Sequence, residues 1–218
     1  MQGVEEEEEE KTLVWWDISS CPIPTGYDPC LVGPRIVSAW RSYRMSGPIT
    51  ITAIGRLTHH PNAPDNDVLR KLSSSGISLI HANELQSDLF DWVELNPPPA
   101  NILLISGPKE LESLARTLYR LDSEGYTIFL AYPQREPAPA WLWKSFLSGV
   151  YKEWLWTSLL TDEMGSCSED EDKCSQTGES PTWSCTLCAF SAQSFEDFTT
   201  HLKSKQHAHA VSIIYQYI

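Results

Sequence analysis

Four consecutive apolar residues, Ile102 to Ile105, lie between Asn101 and Ser106 in the middle of this 218-residue chain. A strand points successive side chains to opposite faces, so an uninterrupted apolar run needs cover on both sides of its sheet. That demand places helices above and below a parallel sheet, and the flanking sequence supplies them. Residues 12–17, Thr-Leu-Val-Trp-Trp-Asp, form a short β-rich run that closes on a carboxylate. Residues 19–29 are rich in turn formers. Residues 31–45 are predicted helical, with Ile36, Trp40 and Tyr43 at helix spacing and Pro34 in the tolerant first turn. Thr and Ile alternate through 49–54 as in a strand. Residues 65–75 predict a helix capped by Asp65 or Asn66 and stopped by Gly76, and 77–81 predict a further strand. An amphipathic segment at 84–95 ends at Asn96-Pro97-Pro98-Pro99. Residues 109–123 place Leu111, Leu114, Ala115, Leu118 and Leu121 on one helical face, with Gly125 as the stop and 126–132 as the next strand. Strands alternating with helices predict an α/β domain, a parallel sheet with helices on both faces. Residues 141–160 carry four tryptophans and predict a last helix packed on this domain; a base-stacking surface is the other reading of those rings.

The length and the 41% hydrophobic content allow one ordinary core and a small appendage. No apolar run reaches membrane-spanning length, so no insertion is expected. Met1-Gln-Gly-Val4 and the six glutamates after it lack the basic start and apolar stretch of a signal peptide. A reducing compartment is therefore expected, cytoplasmic or nuclear. The net charge of −13 is concentrated: Glu5 to Glu10, and the seven acids against Lys173 at 162–179, account for all but one unit of it. Such runs read as solvated tails or linkers. They divide the chain into an acidic tail at 1–10, a domain at 11–160, an acidic Ser-rich linker at 161–181 and a small module at 182–212. The folded parts are near neutral and lack a strong basic stripe. No glycine-rich phosphate loop is present, so no small-molecule cofactor is expected. Cys167 and Cys174 fit no metal pattern and are read as free thiols.

Cys185 and Cys188 are separated by two residues, His201 follows after twelve, and His207 after five more. In a reducing compartment this Cys spacing points to a metal rather than a disulfide. Zinc takes four tetrahedral sulfur and nitrogen ligands. Two Cys on a tight turn and two His about a turn apart on one helix supply them, which predicts a small ββα-type zinc finger. Phe190, Phe198 and Leu202 suit its core. So small a core needs the metal, which contributes roughly 10–16 kcal/mol in isolated fingers. His209 is an alternative to His207, two positions on. The long gap in His201-Leu-Lys-Ser-Lys-Gln-His207 resembles the spliceosomal and double-stranded-RNA-binding class of fingers, which read RNA helices by shape. Lys203 and Lys205 are the candidate RNA contacts, offset by Glu196 and Asp197. Docking to a protein is the other reading of the finger. One finger covers about 3 base pairs in DNA readers, so sequence-specific DNA recognition is not expected.

Thr12-Leu-Val-Trp-Trp-Asp17-Ile-Ser-Ser-Cys21-Pro22-Ile-Pro24 resembles the opening of NYN domains of the limkain, or meiosis regulator and mRNA stability factor, type. Asn96-Pro-Pro-Pro-Ala-Asn-Ile-Leu-Leu-Ile-Ser-Gly107 resembles that family's strand into its active site, and Gly125-Tyr-Thr-Ile-Phe-Leu-Ala-Tyr-Pro133 the strand that follows. The resemblance covers 11–160. With the finger behind it, the chain is similar to plant proteins described as endonuclease or glycosyl hydrolase with a zinc finger. The resemblance implies a PIN-like nuclease fold, in which carboxylates at the carboxyl edge of the sheet hold magnesium or manganese for phosphodiester cleavage. Asp17 stands where the family's first catalytic Asp belongs; a capping or salt-bridged Asp is the alternative. Glu84, Asp88 and Glu110 are the remaining catalytic candidates.

The chain also departs from the family pattern. The family continues Asp-Ile-Glu-Asn, and this chain reads Asp17-Ile-Ser19-Ser20. The family has Asp, any residue, Asp after its Ile-Ser-Gly strand, and this chain has Pro108-Lys109-Glu110. Only His81-Ala-Asn83-Glu84 falls near the family's Ala-Asp-Lys. Magnesium demands near-octahedral order, so endoribonuclease activity is expected to be weak or lost. Lys109 adds positive charge where the acids were and is a candidate RNA contact. The expected function is an RNA-associated regulator of gene expression or mRNA stability. The alternatives are an active metal-dependent endoribonuclease and a protein-interaction scaffold. Single-stranded or structured RNA is the expected partner, and protein partners are left open. The resemblance adds a peroxisomal option, although Tyr215-Gln-Tyr-Ile218 is not the usual peroxisomal ending. A glycosidase would need paired carboxylates about 5–10 Å apart, to which no motif here points.

Overall fold

The computed structural model describes residues 10–43, 47–60, 63–83, 86–133, 149–161 and 180–215. The elements are β1 (Thr12–Asp17), α1 (Val32–Ser42), β2 (Ile49–Gly55), α2 (Asn66–Ser74), β3 (Ser78–His81), α3 (Gln86–Leu95), β4 (Ala100–Ile105), α4 (Pro108–Glu124), β5 (Tyr126–Tyr132), β6 (Val150–Leu155), α5 (Trp156–Thr161), β7 (Trp183–Cys185), β8 (Phe190–Ala192), α6 (Phe195–Leu202) and α7 (Lys205–Tyr215). Eight strands form one sheet in the order β6-β5-β4-β1-β2-β3-β7-β8. Neighbours run parallel except in the β7–β8 hairpin. The chain moves outward from β1 through β2 to β3, then crosses back to β4 on the other side of β1. Strand order thus reverses between β1 and β4, where an open α/β sheet leaves a crevice at its carboxyl edge.

Alternation along β1 sends Val14 and Trp16 into one core and Leu13 and Trp15 into another. The first core is closed by Ile36 and Trp40 of α1, Leu69 and Leu72 of α2, Trp156 and Leu160 of α5, and Phe195, Phe198 and Leu202 of α6. The second is closed by Leu89 of α3 and by Leu111, Leu114, Leu118 and Leu121 of α4. All six residues of β4 are buried, as its apolar run requires. The punctuation also follows the sequence. Asp65 caps α2 by accepting the Val68 N–H at 2.9 Å, and Gly125 ends α4 at φ +101°, a left-handed conformation that suits glycine.

The predicted last helix does not form as such. Residues 150–155 pair with β5 as strand β6, and the helix is confined to Trp156–Thr161; residues 141–148 lie outside the described residues. The open edge of β5 and the β-favouring Val150, Tyr151 and Trp154 outweigh the helical pattern. Trp154 and Trp156 are 8% and 2% exposed, so these two rings serve the core rather than a stacking surface. No described helix is long and apolar enough to cross a membrane.

The C-terminal module is built onto the sheet. Strand β7 pairs in parallel with β3, Leu79 opposite Trp183 and His81 opposite Cys185. The Trp183 indole N–H donates to Ser73 Oγ at 2.9 Å, and Arg70 of α2 pairs with Glu196 of α6 at 2.9 Å. Because Phe195, Phe198 and Leu202 lie in the first core, the module does not depend on metal alone for an apolar interior.

Candidate functional site: a carboxyl-edge crevice and a Cys/His cluster

The carboxyl ends of β1, β2 and β3 and the first turn of α4 surround a crevice of about 380 Å³, whose lining includes Asp17, Ser19, Ser20, Gly55, Arg56, His60, Asn83 and Glu110. Asp17 ends β1 and is only 4% exposed. Its Oδ1 accepts the backbone N–H groups of Ser19 at 3.0 Å and Ser20 at 3.2 Å. Its Oδ2 accepts the Ser20 hydroxyl and, at 3.1 Å, the Ser106 hydroxyl. A carboxylate offers about four lone-pair sites, and four donors from the chain itself occupy them. Ser20 Oγ also accepts the Gly107 N–H at 2.7 Å, which ties the β1 loop to the start of α4. A Cβ on Gly107 would come within 3.0 Å of Ser20 Cβ and 3.1 Å of Glu110 Oε2, so a side chain there would push these groups apart by a few tenths of an ångström. Ser19 Oγ accepts the Arg56 N–H at 3.0 Å. Beneath the crevice, burial first and the Asp17 charge second push the Cys21 thiol far above its ordinary range.

The second constellation is Cys185, Cys188, His201 and His207, whose ligand atoms all lie within 4.8 Å of one another. Cys185 Sγ and Cys188 Sγ stand 3.6 and 3.5 Å from His207 Nδ1. Zinc bonded tetrahedrally at about 2.3 Å to sulfur and 2.0–2.1 Å to nitrogen would set that edge at about 3.6 Å. The Nε2 atom of His201 is buried without a protein partner, and a buried polar atom needs one. Burial raises the Cys185 thiol to about 12 and lowers His207 to about 4, with His201 and His59 adding to the latter. An uncharged site of this kind takes up a cation by releasing thiol protons. The donor set therefore fits zinc. His201 and His207 do not share one helix as expected: His201 is on α6, His207 on α7, and Lys203 and Ser204 break the chain between them. On one continuous helix, six residues at 3.6 per turn would set the two rings about 240° apart, so the helix must break for both to face one ion.

The other predicted residues fall in several places. Asp17 and Glu110 meet at the crevice. Glu84, Cys167 and Cys174 lie outside the described residues, as does the side chain of Asp88 on α3. Lys109 is exposed on the first turn of α4 and is not among the crevice lining. Lys203 and Lys205 are exposed at the break between α6 and α7, while His209 is exposed and outside the cluster. Arg56, His60, Ser20 and Ser106 were not singled out from sequence. Ser20 and Ser106 follow β1 and β4, the two strands at the switch point, whereas Arg56 and His60 lie in the loop after β2.

Residues 11–142 match the NYN domain. The match ends before β6 and before the Cys/His cluster. Nucleases with this domain are metal-dependent, and the domain indicates an RNA-related, nuclease-type function. No curated protein matches the chain. Its parallel sheet, its crevice at the β1–β4 switch point and the match over more than half its length agree: the chain belongs to the NYN domain family.

Proposed function

We propose that this protein is an RNA-binding regulator of gene expression, built on an NYN nuclease fold whose hydrolytic site has become a hydroxyl-lined crevice. The observation that carries the reading is the environment of Asp17. Its lone pairs are occupied by Ser19, Ser20 and Ser106, and Ser19, Ser20 and Pro108 stand where the family resemblance expects acids or an amide. A divalent cation would have to displace two hydroxyls or two backbone N–H groups to bind there. Magnesium requires near-octahedral oxygen coordination, and the crevice lining offers two carboxylates, Asp17 and Glu110. The donor set fits such an ion poorly, and no hydrolytic step is assigned to it. The same crevice offers Arg56 and His60 for phosphate, and Ser19, Ser20 and Asn83 for ribose hydroxyls and base edges. The resemblance to the mRNA stability factor type and to plant finger proteins supports transcripts as targets. In this reading zinc fills the Cys/His cluster, and residues 1–10 and 161–181 are acidic spacers.

The second reading is an active endoribonuclease, favoured by Asp17 and Glu110 sharing one crevice. The deciding experiment incubates the zinc-loaded protein and its Asp17→Asn variant with labelled single-stranded RNA in manganese. Binding without cleavage is expected of both. Cleavage by the wild type that disappears in Asp17→Asn installs the second reading instead. Absence of RNA affinity even at low salt, where phosphate contacts are strongest, would leave a protein-interaction scaffold.

A further inference from the structure

Strand β3 is a wall shared by the crevice and the Cys/His cluster. Its last residue, His81, is 1% exposed, and its Nδ1 accepts the Leu57 N–H at 3.0 Å. The next two residues, Ala82 and Asn83, line the crevice. On the other side, His81 stands opposite Cys185 in the β3–β7 register. The Thr186 hydroxyl donates to the His81 carbonyl at 3.4 Å, and the His81 ring meets His207 edge-on with centroids 4.8 Å apart. The loop after β2 makes a second link. His59 stacks on His207 at 5.8 Å, while its neighbour His60 and the preceding Arg56 line the crevice. His59 holds φ +55°, a left-handed conformation uncommon outside glycine. Such a conformation persists where surrounding contacts over-determine it, and the His207 ring is one of those contacts.

We infer that the Cys185–Cys188–His201–His207 metal centre braces the crevice wall at 56–60 and 82–83, with His81 as the positioning residue between them. The finger is thus a structural strut for the neighbouring site. Without a metal, the buried His201 Nε2 has no partner, and His207 Nδ1 is left with only the two Cys sulfurs beside it. The cluster then relaxes toward water, and the ring against which His59 and His81 pack is released. Only the RNA arm of the test rests on the proposed function.

The test uses hydrogen exchange on the full chain, zinc-loaded and then stripped by a chelator. Amides at 56–60 and 82–83 are expected to exchange about tenfold faster without zinc, while α4 stays within about twofold. Unchanged protection at 56–60, or equal acceleration along α4, overturns the brace. His81→Asn keeps an acceptor for the Leu57 N–H and is expected to retain loop protection; His81→Leu is expected to lose it. Both should keep the cobalt(II) absorption of a two-thiolate tetrahedral centre. Full protection in zinc-bound His81→Leu removes the role assigned to His81. Single-stranded RNA should bind the stripped protein about tenfold more weakly, a change equivalent to about 1.4 kcal/mol. If the zinc-loaded protein binds no RNA, the reading of the crevice falls, and the exchange experiment still decides the brace.

Discussion

In a metal-dependent nuclease a carboxylate such as Asp17 turns its lone pairs toward a cation; here they face two hydroxyls and two backbone N–H groups. Ser20 matters most in this exchange, because its oxygen serves both Asp17 and Gly107. Ser20→Ala leaves the Gly107 N–H without its acceptor and is expected to lower stability by about 1–3 kcal/mol, read from the denaturant midpoint. Restoring the family pattern is the converse test. Ser19→Glu, Ser20→Asn and Pro108→Asp together are expected to create manganese-dependent RNA cleavage where the parent shows none. If cleavage stays absent in the folded variant, these three replacements are not what would separate the chain from an active nuclease. Asp17 was legible from sequence because it closes an apolar strand. Arg56 and His60 were not, since the loop after β2 has no periodicity, and its position at the crevice depends on a strand order known only from the fold.

At the level of elements, sequence pattern predicts best where burial imposes it. Helix α4 places Leu111, Leu114, Leu118 and Leu121 in the core at helical spacing, and its limits differ from expectation by one residue at each end. Leu114 is 1% exposed, so Leu114→Ala is expected to cost about 2–5 kcal/mol, measured by thermal or denaturant unfolding. Strand β6 was missed because its pattern is weak: among residues 150–155 only Trp154 is buried, and the strand's identity comes from pairing with β5. The break between α6 and α7 was missed for a related reason. No local pattern marks the break, and with it the ligand atoms of His201 and His207 come within 4.8 Å of the two Cys sulfurs. Gly55 illustrates the tightness of strand ends at the crevice. It holds φ +152°, and an added Cβ would collide with the Ser19 hydroxyl. Gly55→Ala is expected to destabilise the fold by about 1–3 kcal/mol and to weaken RNA binding, both readable on the same sample.

Across the whole molecule, the parallel α/β sheet and the Cys185–Cys188–His201–His207 cluster were both legible. Their union was not. No local signal announces that Trp183, Ser184 and Cys185 will extend the sheet beyond β3, or that Phe195 and Phe198 will enter the same core as Leu69 and Leu72. Pairing of this kind is set by a free strand edge and a complementary apolar face, and neither exists until the larger part has folded. A chain ending at residue 160 would expose the β3 edge together with apolar surface of α2. Such an edge is a template for pairing between molecules. The truncated chain is expected to aggregate more readily than the full chain at the same concentration, as judged by light scattering.

The pairing of β3 with β7 also has a consequence in time. The bond from Thr182 to Ser78 spans 104 residues of chain. At about 5–20 residues per second, a ribosome needs roughly 5–20 s to deliver the second partner after the first. At the start of that interval only three of the eight strands exist, and the β3 margin stays open until β7 emerges. Slowing translation between codons 81 and 183 should therefore lower the yield of native protein, even though the finished sequence is unchanged.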